Sequence, residues 1–181
     1  MLEIRWHGRG GQGAVTSVEL LALAAIGEGK FAQGFPSFGP ERRGAPVAAF
    51  NRINDRRIKS RAGIYQPDVV AVLDESLIDL VNVVEGLKSK GTLIVNTQKT
   101  AKQLAKATGF KGRIGVVDAK GIALKEMGVP IANTTMIGAL IKATGAVKLE
   151  SMKSPIEQRF GRIADRNMNA MTRAYNEIKI S

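Results

Sequence analysis

Three short apolar runs, each leading into a helical pattern, constrain the fold of this chain more than any other feature. They span residues 69–73, 92–96 and 113–117. Continuous apolar runs of this length are typical of strands that are buried on both faces of a sheet. Strands that alternate with helices predict βαβ units, and hence a mostly parallel sheet with helices on its faces.

Polar residues mark the points where these runs end, and they share a predicted position in the fold. They are Asp74, Asn96 and Asp118. Right-handed crossovers bring the carboxyl ends of parallel strands to one edge of the sheet. We therefore expect these residues to lie at one working edge, with helices at about residues 74–84, 100–108 and 119–127.

A glycine-rich turn joins the first predicted strand to an apolar helix at residues 14–26. Residues 2–6 alternate between apolar and polar side chains, as in a strand with one buried face. The turn consists of Gly8, Arg9, Gly10, Gly11, Gln12 and Gly13. Free backbone N–H groups at the start of such a helix can face a phosphate, and Arg9 adds positive charge. The alternative is that the glycines serve only a tight turn and close packing of helix against strand.

No acidic residue stands where a dinucleotide-binding fold needs one. Such folds place a carboxylate about 20 residues after the glycine turn, at the end of the second strand. Here Glu28 falls at the end of the first helix, and Glu41 falls in a loop rich in proline and glycine. An NAD site is therefore not predicted. A stand-alone nucleotide-binding domain stays open as a hypothesis from a different functional class.

The loop at residues 33–46 combines two phenylalanines with the adjacent pair Arg42 and Arg43. These residues suggest rings that dock and guanidinium groups that meet an anion. A solvated basic loop whose rings lie on the core is the alternative. The pattern of residues 47–58 predicts a β-hairpin. Cations concentrate near it and would form a basic platform; they stand at positions 42, 43, 52, 56, 57, 59 and 61.

The last third of the chain is helical in pattern. Asn133 and Thr134 precede a helix whose residues 136–141 carry no charge, which is typical of a cap followed by a core or interface helix. Residues 154–157 form a capping-box sequence. The fold class predicted is α/β: a Rossmann-like three-layer domain with a mostly parallel sheet, a β-hairpin insertion after the first helix and a C-terminal helical segment.

Composition narrows the functional classes. A length of 181 residues suits a single domain, residues 1–181. The chain has no cysteine and one histidine, His7, so it offers no thiolate for an iron–sulfur cluster and no histidine-based metal site. Its formal net charge of +11 attracts nucleic acid, phosphate-bearing cofactors or acidic subunits alike. Few aromatic residues and no recognition-helix pattern argue against nucleic acid. We expect a cytoplasmic protein without a membrane segment.

Several motifs together resemble the gamma subunit of 2-oxoacid:ferredoxin oxidoreductases, most closely the pyruvate:ferredoxin oxidoreductase type. The resemblance rests on the run at 4–16, the loop at 33–46, Pro67-Asp68 before an apolar strand, the helix beginning at Asn133-Thr134, and the tail from Asn169 to Tyr175. It spans nearly the whole chain. Gamma subunits of the branched-chain, 2-oxoglutarate and indolepyruvate enzymes share the glycine motif, so the choice of pyruvate depends on residues 33–46.

The resemblance implies a complex that oxidatively decarboxylates pyruvate to acetyl-CoA and CO2 and reduces ferredoxin or flavodoxin. Its alpha, beta and delta subunits would hold thiamine diphosphate and the Fe–S clusters. The gamma chain would be structural and without catalytic residues, and the isolated chain would be inactive and would self-associate, for example as a dimer. Candidate contacts with coenzyme A phosphates or with other subunits are Gly8, Arg9, Gly10, Gly11, Gln12, Gly13, Arg42, Arg43, Asn133 and Thr134.

Overall fold

A seven-stranded sheet organises the part of the chain that the computed structural model describes, residues 1–37 and 43–181. The strands are β1 (Leu2–Arg9), β2 (Phe31–Pro36), β3 (Pro46–Asn54), β4 (Val69–Val72), β5 (Thr92–Asn96), β6 (Arg113–Val117) and β7 (Lys179–Ile180). The helices are α1 (Ala14–Gly27), α2 (Ala101–Thr108), α3 (Ala119–Met127), α4 (Asn133–Thr144), α5 (Lys153–Phe160) and α6 (Ala164–Glu177). Short 3-10 turns cover Glu75–Asp79, Leu149–Met152 and Gly161–Ile163.

The strand order is β2-β3-β1-β4-β5-β6-β7. Strands β1, β4, β5 and β6 are parallel, whereas β3 is antiparallel to β1 and β2, and β7 is antiparallel to β6. The predicted parallel sheet is therefore confirmed, and β2 and β3 form the hairpin insertion after the first helix. The chain leaves β1 toward one side of the sheet and later returns to its other side, so the strand order reverses at β1.

Apolar layers cover the two faces of the sheet and make the fold three-layered. One face packs on α1, α4 and α6, through strand residues such as Ile4, Trp6 and Ala71. The opposite face of β4, β5 and β6 packs on α2 and on the segment that follows β4, through residues such as Val70 and Leu104. Helix α4 is buried along most of its length, as its uncharged sequence predicts. No helix among the described residues is both long and apolar enough to cross a membrane.

The prediction of a helix at residues 74–84 is wrong. Only the 3-10 turn Glu75–Asp79 forms, capped by the Asp74 carboxylate, which accepts from the backbone N–H of Ser76. The buried guanidinium of Arg5 donates to the backbone carbonyls of Val83 and Glu85, at 3.1 and 2.5 Å. Those carbonyls therefore satisfy a cation inside the protein, and the backbone around them adopts turns instead of a helix.

Two other local predictions are also wrong. No strand forms at residues 55–58; instead β3 pairs with β2. The chain after β3 passes over the side chain of Arg52, whose guanidinium donates to the carbonyls of Ala62 and Gly63. The capping box at 154–157 does not form either. Helix α5 begins at Lys153, directly after a 3-10 turn, so Ser154 is already inside the helix.

Candidate functional site

A cleft of about 450 Å³ opens at the carboxyl edge of the parallel strands. The residues predicted to share this edge do so, because the cleft is lined by Gly11, Gln12, Leu73, Asp74, Glu75, Asn96, Thr97, Gln98, Asp118, Lys120, Pro130, Ile131 and Ala132. The cleft lies beside β1, where the strand order reverses. Open α/β sheets commonly bind their ligands at this position.

The glycine turn is held in place by the carboxylate of Asp74. The side-chain amide of Gln12 donates to this carboxylate at 2.8 Å, and the guanidinium of Arg9 donates to it at 3.3 Å. Arg9 also donates to the hydroxyl of Ser76 at 2.7 Å and to the carbonyl of Gly44 at 3.0 Å. The positive charge of Arg9 is therefore already partly satisfied inside the protein.

The segment after the loop lies directly against the turn. Gly10 donates to the carbonyl of Ala45 at 2.9 Å, and Gly44 donates to the carbonyl of Gly10 at 3.0 Å. Arg43 bridges to Gly10 and its side chain is exposed. The structure thus brings together the glycine turn and one arginine of the predicted pair. Arg42 lies outside the described residues.

Asn133 and Thr134 stand behind the turn, at the start of α4. The space beside Gly13 where a Cβ would lie is taken by the side-chain amide of Asn133. Thr134 is completely buried, and its hydroxyl donates to the side-chain oxygen of Asn167 at 2.8 Å. Asn133 therefore shapes the turn from behind, whereas the described contact of Thr134 joins α4 to α6.

Backbone N–H groups of the turn divide into two sets. Those of Arg9, Gly10 and Gln12 donate to acceptors of the turn or of its neighbouring segment. Those of Gly11 and Gly13 donate to no acceptor in the described part of the chain. Two unsatisfied donors at the start of a helix are able to bind an anionic oxygen.

The wall of the cleft opposite the glycine turn carries the carboxylates of Glu75 and Asp118. Glu75 accepts a hydrogen bond from the hydroxyl of Thr97 and lies 3.7 Å from the ammonium of Lys99. Asp118 accepts from Gly121 N at 2.9 Å and from the amide of Gln98 at 2.9 Å. The cleft therefore offers carboxylates on one side and, at Gly11, a backbone donor without a described acceptor on the other. This combination suits a ligand that carries both an anion and hydroxyl or amino groups.

The pKa of Asp74 lies below its ordinary value. Burial raises this pKa, but hydrogen bonds from Ser76 and Gln12, together with the charge of Arg9, outweigh burial and favour the carboxylate. Asp74 is thus a fixed negative charge that organises the turn. No cluster of three or more potential metal-ligating side chains occurs within residues 1–37 and 43–181.

Comparison with known proteins assigns the family. The sequence model described as Pyruvate ferredoxin/flavodoxin oxidoreductase matches residues 3–177. The chain belongs to this family. It is 53% identical over 179 residues to the pyruvate/ketoisovalerate oxidoreductases common subunit gamma of Thermococcus kodakarensis, covering 98% of this chain and 97% of that one. It is 52% identical over 179 residues to the pyruvate synthase subunit PorC of Methanocaldococcus jannaschii, again covering 98% and 97%.

Solved structures of the oxidoreductase family agree. The crystal structure of the pyruvate oxidoreductase subunit PORC of Thermotoga maritima superposes with a TM-score of 0.91 at 47% identity, covering 99% of this chain and 98% of that one. The gamma subunit of a keto/oxoacid ferredoxin oxidoreductase from Geobacter sulfurreducens gives 0.76 at 25% identity, covering 97% of each chain. The chain is therefore a subunit of a multi-subunit oxidoreductase, as the resemblance implied.

Sequence reasoning did not find several residues that shape the site in this member of the oxidoreductase family. The bonds of Arg9 and Gln12 to Asp74 were not foreseen, although Asp74 was placed at the correct edge. Gln98 and Lys120 line the cleft from positions just after β5 and β6. A polar residue two or three positions after a buried parallel strand was the available signal for both, and it applies to any such strand.

Proposed function

We propose that this chain is the gamma subunit of a pyruvate:ferredoxin oxidoreductase. In the complex, pyruvate is oxidatively decarboxylated to acetyl-CoA and CO2, and the electrons reduce ferredoxin or flavodoxin. The observation that carries the proposal is sequence similarity: the chain is 53% and 52% identical, over 98% of its length, to a gamma subunit and a PorC subunit. We further propose that companion alpha, beta and delta subunits hold thiamine diphosphate and the Fe–S clusters. For the clusters this agrees with a chain that has no cysteine to ligate iron.

A shared subunit is the second candidate. The Thermococcus relative is named as common to pyruvate and ketoisovalerate oxidoreductases, and its sequence identity to this chain is nearly the same as that of the relative named as a pyruvate synthase subunit. In this case one gamma chain assembles with two sets of companion subunits. The two candidates differ in what the chain assembles with and share its role as a structural subunit at the rim of the active site.

Affinity purification of the tagged chain from its host, without oxygen and at low salt, tests both candidates. Recovery with one set of thiamine-enzyme subunits and pyruvate-dependent reduction of ferredoxin supports the first. Recovery with two sets, together with activity on a branched-chain 2-oxo acid, supports the second. Recovery of the chain alone, or in a stable assembly with unrelated proteins, contradicts both.

Coenzyme A is the ligand that we propose for the cleft, with its phosphates at the glycine turn. The backbone donors of Gly11 and Gly13 and the exposed guanidinium of Arg43 suit its phosphates. The carboxylates of Glu75 and Asp118 suit its hydroxyl and amino groups. Coenzyme A supplies the thiol that accepts the acyl group, while this chain would bind and orient the phosphate end.

The test of this contact is the apparent KM for coenzyme A in the assembled enzyme. Arg42→Ala and Arg43→Ala are each expected to raise it several-fold while thiamine diphosphate remains bound. Arg113→Ala is the matched control, because Arg113 is exposed and begins β6 at the opposite edge of the sheet. An unchanged KM in both loop variants would assign the arginines to a subunit interface instead.

A further inference from the structure

A row of cations follows β3 in the chain and has no acidic partner within residues 1–37 and 43–181. Residues 55–66 contain one carboxylate, Asp55, and a cluster that we call the basic arc: Arg56, Arg57, Lys59 and Arg61. All four side chains are exposed, and none of them forms an ion pair within the described residues. Four uncompensated positive charges within six residues repel one another, so the isolated chain gains no stability from them.

The backbone beneath the basic arc is anchored to the sheet. The side-chain amide of Asn54 donates to the carbonyl of Arg56 at 3.0 Å, and that of Gln33 donates to the carbonyl of Ser60 at 3.3 Å. Arg52 donates to the carbonyls of Ala62 and Gly63 and pairs with Glu3 at 2.9 Å. The predicted basic platform is therefore corrected in one respect, because Arg52 is buried and holds the segment in place. The four cations of the basic arc lie on a segment that is held at Arg56, Ser60, Ala62 and Gly63, and their charged ends have no ion-pair partner within the described residues.

Aromatic side chains lie in the same part of the fold as the basic arc. The rings of Phe35 and Phe50 lie 5.4 Å apart on the sheet face that carries Arg52, and neither belongs to the two apolar cores. Both are only partly buried, while Tyr65 is 79% exposed and Phe31 is 46% exposed. Helix α1 packs on β2 and β3 at their other face, where Asn51 donates to the carbonyl of Val18. Arginine, tyrosine and phenylalanine together are the residues enriched in protein interfaces.

We propose that the basic arc and the neighbouring face of β2 and β3 form the surface on which an acidic companion subunit of the oxidoreductase docks. The proposal rests on the proposed function, which requires companion subunits. The charge of the surface indicates which partner binds there. A second copy of this chain that docked symmetrically would place one basic arc against the other, and repulsion between like charges disfavours that contact. An acidic protein surface instead neutralises the four cations and covers the rings.

Retention of this chain in the complex as a function of salt tests the surface. The complex is expressed with the tag on a companion subunit, and the chain carries either its natural sequence or the pair Arg57→Glu and Arg61→Glu. The charge-reversed chain is expected to bind at least tenfold more weakly and to dissociate at lower sodium chloride concentration. The matched control is the pair Lys102→Glu and Lys111→Glu, which makes the same change of net charge at exposed positions elsewhere. It is expected to change binding by less than about twofold.

Folding of the variants is checked by circular dichroism and by their melting temperatures. If the charge-reversed chain does not fold, Arg57→Gln and Arg61→Gln replace it, with a smaller expected loss of affinity that grows as salt is lowered. Failure of the natural chain to be retained would contradict the proposed function itself. Retention of natural and reversed chains alike at every salt concentration would leave the function standing and overturn the docking surface.

Three further readouts separate other occupants of the same surface. An unchanged retention with a raised apparent KM for coenzyme A would make the basic arc a small-anion site. An unchanged retention with lost affinity for a short DNA duplex would make it a nucleic-acid surface. An unchanged retention with loss of self-association in sedimentation would make it an interface between copies. Each of these results overturns the proposal.

Discussion

The indole nitrogen of Trp6 donates a 2.9 Å hydrogen bond to the side-chain oxygen of Asn51, and both residues are completely buried. The side-chain amide of Asn51 donates in turn to the backbone carbonyl of Val18 at 2.8 Å. One asparagine thereby connects β1, β3 and α1 within a mostly apolar layer. Because its polar groups find partners without water, the hairpin insertion is joined specifically to the first helix.

Replacing Asn51 with leucine is expected to destabilise the chain by about 2 to 4 kcal/mol. The substitution leaves the N–H of Trp6 buried without a partner, which costs roughly 1 to 3 kcal/mol. It also removes a hydrogen bond to the carbonyl of Val18, which is worth roughly 1 kcal/mol more. The free energy of urea unfolding of the isolated chain measures this. Asn176→Leu is the control, since Asn176 is exposed on α6 and should change stability by less than about 0.5 kcal/mol.

Alanine at Gly13 is expected to be much more harmful than alanine at Gly11. Both glycines have positive φ, 81° and 94°, which alanine adopts at a cost of about 1 to 2 kcal/mol. At Gly13 the added Cβ also collides with the amide of Asn133, whereas no described atom lies within 4 Å of a Cβ on Gly11. Melting temperatures of the two variants provide the comparison. Equal losses would show that backbone strain alone requires these glycines.

His7 is expected to stay neutral well below neutral pH. Burial, followed by the positive charge of Arg5, lowers its pKa to about 4. An unfolded chain binds this proton near pH 6.5, so the folded chain binds fewer protons between the two values, and the free energy of unfolding falls as pH decreases through that range. Because the chain has one histidine, an NMR titration of imidazole resonances reports this residue without ambiguity.

The titration has a matched stability measurement. His7→Gln should remove the part of the pH dependence of unfolding that lies between about pH 6.5 and 4. A titration midpoint near that of a free imidazole would contradict the expectation. So would an unfolding free energy whose pH dependence is the same with and without the histidine.

Asp74→Asn is expected to destabilise the chain at neutral pH by about 1 to 2 kcal/mol, since the substitution weakens charge-assisted hydrogen bonds from Arg9 and Gln12. The lowered pKa of Asp74 means that its stabilisation is complete above the unfolded pKa, about 3.9, and is lost as pH falls through the folded value. The difference between variant and natural chain should therefore shrink below about pH 4. Asp55→Asn, at an exposed position, should change the free energy of unfolding at neutral pH by less than about 0.5 kcal/mol.

The parallel sheet and its working edge could be predicted because they depend on local pattern. Runs such as 69–73 are apolar on both faces, and their polar ends must meet at one edge whatever the details of packing. The false helix at 74–84 had an equally good local pattern. In the structure the carbonyls of Val83 and Glu85 instead accept from Arg5, a partner far away in sequence that leaves no trace in the local pattern.

Side-chain partners set the limit of prediction for the candidate site. Arg9 and Arg52 both read as free cations in the sequence, yet the first is bound to Asp74 and the second is buried against Glu3. Ion pairs between residues many positions apart leave no periodic trace in a sequence. The four arginines and lysines of the basic arc have the same local appearance, and only the absence of described partners distinguishes them.

Strand β1 lies in the interior of the sheet, between β3 and β4, yet both neighbours come much later in the chain. During translation its apolar side chains must wait for residues 46–54 and then 69–72 to leave the ribosome before they are fully paired. Such non-local pairing slows folding and leaves an unpaired, aggregation-prone strand exposed until its partners are synthesised. Synthesis of this chain should therefore benefit from chaperones and suffer at high expression rates, independently of how stable the finished domain is.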